Sequence, residues 1–114
     1  MSAVATVVIS PSFIPGVVFF KYTCDASPLA TPINVGFVPS TVIVWNVTDK
    51  DTVTLWSSSM ADATGITITT AAAAVSANGV TPNAQTGGTN LGFTVGTDVS
   101  VQEASKVWEG VAIR

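Results

Sequence analysis

The sequence contains no histidine and only one cysteine, Cys24. Without histidine the chain cannot build a histidine-based catalytic triad, and it lacks the usual general base near neutral pH and the commonest zinc ligand. A lone cysteine forms no intramolecular disulfide, and its thiol has no histidine to activate it, so we expect a small core residue or an unreactive loop thiol. These absences predict a protein that is not an enzyme and has no catalytic residues, cofactor or metal site.

Charge is also scarce. Asp, Glu, Lys and Arg make up 10% of the 114 residues, against about 25% in ordinary soluble domains. The net charge is −3 and the four basic residues are scattered, whereas nucleic-acid binding uses clustered Lys and Arg. Copies of such a chain repel one another weakly, so we expect a homo-oligomer and no nucleic-acid partner. The alternative is a monomer with a polar, uncharged surface.

Long apolar runs are missing as well. Gly16–Phe20 and Val42–Trp45 are far shorter than the roughly 20 residues of a membrane-spanning helix. The N-terminus, Met1–Ile9, has no positively charged region and does not resemble a signal peptide. We therefore expect no membrane partner and synthesis in a cytoplasm.

The chain is rich instead in short β-branched segments separated by turn residues. Thr41–Val47 and Asp51–Trp56 predict the clearest hairpin. The alternation in Gly65–Thr70 predicts a strand with both of its isoleucines facing inward, and Ala71–Ala77 is interpreted as a strand leading into a turn. Val80–Asn90 is predicted to be an exposed loop, and no helix of useful length is predicted.

These segments predict an all-β fold, a compact antiparallel β-sandwich or barrel of about seven to nine short strands. Pro11 and Pro15 interrupt the N-terminal region. Residues 1–15 are therefore predicted to be an N-terminal arm or a first strand, and residues 16–114 a single β domain. An arm of this kind can add a strand to the sheet edge of a neighbouring molecule.

Asp49 and Asp51 flank Lys50 in the predicted hairpin turn. A loosely bound calcium ion is one interpretation, but calcium takes six or more oxygen ligands. A solvated turn is therefore favoured.

The three tryptophans are predicted to serve different purposes. Trp45 shares a strand face with Ile43 and Val47 and is predicted to lie in the core. Trp56 and Trp108 share their faces with small or polar residues, which leaves room for another chain to pack against them. A sugar-binding platform is the alternative role for the rings. The predicted interface residues are Val4, Val7, Ile9, Phe13, Ile14, Trp56 and Trp108.

Three segments of the chain resemble the small virion structural proteins of tailed bacteriophages. They are Phe-Val-Pro-Ser-Thr-Val-Ile-Val-Trp-Asn-Val-Thr-Asp (37–49), Gly-Phe-Thr-Val-Gly-Thr-Asp (92–98) and Lys-Val-Trp-Glu-Gly-Val-Ala-Ile-Arg (106–114). The resemblance implies a capsid decoration or cement protein: a β domain, commonly trimeric, that binds the major capsid protein on the outer capsid surface of the virion and stabilises the particle. The alternative is a carbohydrate- or receptor-binding β module of a phage tail appendage.

Overall fold

Short runs of β-branched and aromatic residues form nine strands in the computed structural model, which describes residues 3–10, 14–84 and 91–114. No helix occurs within these ranges, and all of the strand pairs are antiparallel. The predicted all-β fold of about seven to nine strands is confirmed. The strands are β1 (Thr6–Ser10), β2 (Val17–Thr23), β3 (Thr31–Asn34), β4 (Thr41–Asn46), β5 (Val53–Ser57), β6 (Thr64–Ile68), β7 (Ala72–Ala84), β8 (Leu91–Val95) and β9 (Val107–Ile113).

The sheet curls until its two outer strands meet. The strand order is β1-β2-β9-β4-β5-β6-β7-β8-β3, so β1 and β3 are the edges. The Ala3 N–H donates to the Ser27 carbonyl oxygen (3.2 Å), and the Leu29 N–H donates to the Ala3 carbonyl oxygen (3.1 Å). The Ala5 N–H donates to Thr31 Oγ1 (2.9 Å). Of the two predicted architectures, the structure is therefore a nearly closed barrel.

The N-terminal segment contributes a strand to this sheet. Thr6–Ser10 pairs with β2 along its whole length, from Thr6 opposite Thr23 to Ser10 opposite Phe19. Ala5, just before the strand, is buried. Within the region predicted as an arm or a first strand, Thr6–Ser10 is therefore the first strand of the domain.

Large rings fill the barrel. Trp56, Trp108, Tyr22 and Phe93 are each at most 1% exposed. Tyr22 lies directly opposite Trp108 in the register of β2 and β9. Their rings stack with centroids 6.4 Å apart and planes inclined by 4°. The core is therefore complete within one chain.

The hairpin predicted over Thr41–Val47 and Asp51–Trp56 is confirmed as β4 and β5. The strand predicted over Gly65–Thr70 is confirmed as β6, but its predicted facing is wrong, because Gly65 is buried and Ile68 is 47% exposed. The inner side of β6 instead carries Gly65 and Thr67, and the Thr67 hydroxyl lies 3.1 Å from the hydroxyl of the buried Thr54 on β5.

The strand predicted over Ala71–Ala77 is confirmed as the first part of β7. Its pairing with β6 is interrupted, since Gly65 lies opposite Val75 but Thr64 lies opposite Val80. The four residues 76–79 leave the ladder, and Asn78 among them has a φ of 57°.

The loop predicted over Val80–Asn90 is wrong in its first half. Val80–Ala84 continues β7 and pairs with β8. Val80 is 1% exposed, because it lies opposite Val95 inside the barrel. Residues 85–90 lie outside the described residues.

Candidate functional site on the outer face of the sheet

Both faces of β4 are apolar, and tertiary packing decides which of them is buried. Val42 is 1% exposed and lies opposite Trp56, so a small side chain accommodates the neighbouring ring. Ile43, Trp45 and Val47 are half-buried on the other side of the chain. The prediction that Trp45 lies in the core is therefore wrong, and its ring belongs to the outer face of the barrel.

Trp56 and Trp108, predicted as contacts to another chain, are 1% and 0% exposed within this one. The small residues of β9 do leave room, but the chain fills that room itself. A Cβ atom on Gly110 would lie 2.6 Å from Cζ of Phe20, and Trp108 stacks on Tyr22. The prediction of Trp56 and Trp108 as interface residues is corrected accordingly: both are core residues.

The other predicted interface residues lie in and around β1. Val4, Ile9 and Ile14 are 53%, 40% and 61% exposed. Val7 is partly buried and packs against the core. Phe13 lies outside the described residues. Exposed apolar side chains thus remain at the N-terminal edge of the sheet.

A continuous row of apolar side chains crosses the outer face. Its five members lie opposite one another on β2, β9, β4, β5 and β6, and we call them the apolar row: Phe19, Val111, Ile43, Leu55 and Ile66. Cβ atoms of directly opposed residues are about 4.5–5.5 Å apart, so the five side chains are successive neighbours across the sheet. Phe19 is 49% exposed and the others are half-buried.

The next row on the same face mixes charge with apolar surface. In register order it contains Lys21, Glu109, Trp45, Val53 and Ile68. We call it the mixed row. Val53 and Ile68 are 41% and 47% exposed. Lys21 and Glu109 place opposite charges beside the Trp45 ring, on neighbouring strands.

A groove of about 510 Å³ opens between the mixed row and the β4–β5 turn. We call it the Trp45 groove. Its apolar walls include Trp45, Val53 and Ile68, and its charged groups are Lys50, Asp51 and Glu109. A smaller groove of about 220 Å³ adjoins Trp45 from the side of β1 and β2.

The turn that borders the Trp45 groove is fixed by a buried amide. Asn46 Oδ1 accepts the Asp49 N–H at 2.8 Å, and Asn46 Nδ2 donates to Glu103 Oε2 at 3.3 Å. Lys106 Nζ lies 3.2 Å from Asp49 Oδ1. The Asp49 carboxylate is thus engaged within the turn. Across the described ranges, no group of three His, Cys, Asp or Glu residues is arranged to hold a metal ion.

Cys24 belongs to the core and is 4% exposed. Burial raises the pKa of its thiol, so the thiol stays protonated at neutral pH. Burial also raises the pKa of Tyr22 well above its usual value. The Tyr22 hydroxyl donates to the Val101 carbonyl oxygen at 2.6 Å, which satisfies it inside the barrel.

Sequence reasoning missed the apolar row, although the chain carries a signal for it. Val42–Trp45 is apolar at every position, and Phe19 and Phe20 are adjacent. A strand of a single-layer barrel needs apolar residues on its inner face only. In this barrel the surplus apolar side chains of β4 and β2 lie on the outer face.

No family model, no curated protein and no solved structure matches this chain. In the part of the chain that the structure describes, no helix has the length and apolar character needed to cross a membrane. The outer face of the sheet is therefore the structural observation that bears on function.

Proposed function

We propose that this chain is a non-enzymatic virion structural protein of a tailed bacteriophage, a capsid decoration or cement protein. It associates with copies of itself through the apolar row and binds the outer capsid surface. The observation that carries the proposal is the apolar row itself: five contiguous apolar side chains point away from a core that one chain already fills.

The composition of the outer face supports association between copies. Burying apolar surface contributes about 25 cal/mol per Å², and contiguous apolar patches on soluble proteins commonly mark interaction sites. The two charged residues Lys21 and Glu109 lie in the adjacent mixed row, and the apolar row contains no charged residue. An apolar centre with a polar rim is the usual arrangement of a protein interface. The resemblance to phage proteins supports a trimer.

Attachment to the major capsid protein is proposed for a second surface. Val4, Ile9 and Ile14 are exposed at the N-terminal edge, on and around β1. This surface adjoins the Phe19 end of the apolar row, because Ser10 of β1 lies opposite Phe19 of β2. The two proposed contacts are therefore neighbours on the sheet. The protein would be made in the host cytoplasm and end on the virion.

Sedimentation velocity tests self-association. The native chain is expected to sediment as an oligomer, with a trimer as the proposed species. Leu55→Lys places a charge within the apolar row, and an uncompensated buried charge costs about 3 kcal/mol or more. This variant is expected to sediment as a monomer. Thr97→Lys, at an exposed position away from the row, is the matched control and keeps the native state.

A native chain that is monomeric at all concentrations contradicts self-association. Circular dichroism of Leu55→Lys separates loss of assembly from loss of fold, since only the former leaves the β spectrum unchanged.

Co-sedimentation with purified particles tests capsid binding. Deleting residues 1–15 would remove β1 and open the barrel, so exposed side chains are changed instead. Ile9→Asp combined with Ile14→Asp is expected to release the protein from particles while its oligomeric state stays native. Particle binding that survives both substitutions contradicts the proposed role of the N-terminal edge.

A further inference from the structure

We propose that the Trp45 groove binds a sugar residue of an uncharged glycan. Of the three tryptophans, Trp56 and Trp108 are sealed inside the barrel, and only Trp45 reaches the surface. It does so in a groove of about 510 Å³, within the roughly 300–1,000 Å³ range of small-molecule sites. A tryptophan ring offers a broad, rigid apolar surface, which suits the C–H face of a pyranose.

The groove also supplies hydrogen-bond acceptors for sugar hydroxyls. Glu109 is half-buried beside Trp45, and its carboxylate has no hydrogen bond or ion pair with any other described residue. Asp51 accepts one hydrogen bond, from the Thr52 hydroxyl at 3.0 Å, through Oδ1. Its second oxygen remains available. Hydrogen bonds to carboxylates are roughly twice as strong as bonds between neutral groups.

The charges around the groove favour an uncharged ligand. Asp51 and Glu109 are balanced in part by Lys50, which lines the groove, and by Lys21, which lies opposite Glu109. The Lys50 ammonium is already committed, since it donates to the Val47 carbonyl oxygen at 3.0 Å. No single sign of charge dominates. A ligand rich in hydroxyl groups satisfies these acceptors without introducing a net charge of its own.

The site is arranged before any ligand arrives. The bordering turn is held by the Asn46 amide and by the ion pair between Lys106 and Asp49. Trp45, Glu109 and Val53 lie opposite one another on three paired strands. Binding to a rigid site costs little conformational free energy, because its loops and side chains are already ordered.

Glycan binding can be tested separately from the assembly proposed above. Leu55 does not line the Trp45 groove, so the Leu55→Lys variant keeps the site whether or not copies of the chain associate. Testing the native chain and this variant side by side therefore separates the two proposals.

The test is an array of uncharged glycans, followed by titration of the tightest binder by isothermal calorimetry, with intrinsic fluorescence of the native chain as a second readout. Acrylamide is expected to quench the emission of Trp45 and to spare the two buried tryptophans. A bound sugar should protect Trp45 from acrylamide. Trp45→Ala and Glu109→Ala are each expected to weaken binding about tenfold or more. Val99→Ala, at an exposed apolar position outside the groove, should leave affinity unchanged.

Each outcome decides the proposal. Binding that is lost in Trp45→Ala, while emission from the two core tryptophans stays native, supports it. Binding by the Leu55→Lys variant but not by the native chain also supports the proposal. It would show that a second copy covers the groove in the native assembly. An array on which neither the native chain nor Leu55→Lys binds any uncharged glycan overturns the proposal. Affinity that is unchanged in Trp45→Ala overturns it as well.

Discussion

The ring of Phe20 occupies the space that a side chain at position 110 would need. Gly110 lies opposite Phe20 in the register of β2 and β9. A Cβ atom there would lie 2.6 Å from Cζ and 2.8 Å from Cε1 of Phe20, and nearer still to the Ile43 carbonyl oxygen on β4. This contact explains why β9 carries its smallest residue beside Trp108. The space beside Gly110 is filled by the Phe20 ring of the same chain.

Gly110→Ala is therefore expected to destabilise the barrel. Overpacking a filled core costs about 1–3 kcal/mol, and a backbone oxygen moves less readily than a side chain. The free energy of unfolding, measured by urea denaturation, should fall by that amount. Adding Phe20→Leu should recover part of the loss in a double-mutant cycle. An unchanged midpoint in Gly110→Ala would show that the packing around Phe20 is looser than described.

Thr31→Val is expected to weaken the closure between β1 and β3. Thr31 Oγ1 accepts the buried Ala5 N–H at 2.9 Å. Valine keeps the shape but leaves that donor without a partner, which costs about 1–3 kcal/mol. Hydrogen exchange should accelerate at Ala5 and along β1. Thr23→Val, at an exposed position on β2, is the control, and equal exchange in the two variants contradicts this role for Thr31.

Stability is expected to decline in alkali because the two buried acids, Cys24 and Tyr22, have raised pKa values in the fold. The unfolded chain releases its thiol proton near pH 8.5 and its phenol proton near pH 10 (approximate reference values). The folded chain still holds both protons there. Ionisation therefore lowers the free energy of the unfolded state relative to the folded state. The stabilisation is complete below these pH values and is lost as pH rises through the folded pKa values.

Urea denaturation at a series of pH values from neutral to alkaline measures this dependence. Cys24→Ala should remove the part of the decline that begins near pH 8.5, and Tyr22→Phe the part that begins near pH 10 (again approximate values). The difference between each variant and the native chain cancels the titration of lysines. A native curve that runs parallel to that of Cys24→Ala would show that the thiol is ionised equally in both states.

Strand positions could largely be predicted from the sequence, because turn residues punctuate the chain at short intervals. Thr41–Val47 and Asp51–Trp56 emerged as a hairpin, and Ala71–Ala77 as a strand despite the helical preference of alanine. Val80–Ala84 was missed, because Asn78 and Gly79 resemble a terminating turn. In the structure, residues 76–79 bulge out of the ladder and the strand resumes beyond them.

The candidate site was harder to predict than the fold. Trp45 was assigned to the core, and Trp56 and Trp108 to an interface, whereas the structure buries Trp56 and Trp108 and leaves Trp45 on the outer face. Period-two alternation defines two faces but does not say which is inside when both are apolar. Val42 and Trp45 lie on opposite faces of β4 and both are apolar, so the alternation does not tell which of them is buried.

By itself, the sequence determined that this protein is all-β, poor in charge and without the histidine that most acid–base catalysis would use, because those properties follow from residue types and their spacing alone. Only the tertiary structure decided which side of each strand faces outward. That choice depends on contacts between residues far apart in the chain, such as Phe20 against Gly110 and Tyr22 against Trp108. Once those rings fill the barrel, the Trp45 ring and the apolar row are left on its outer surface.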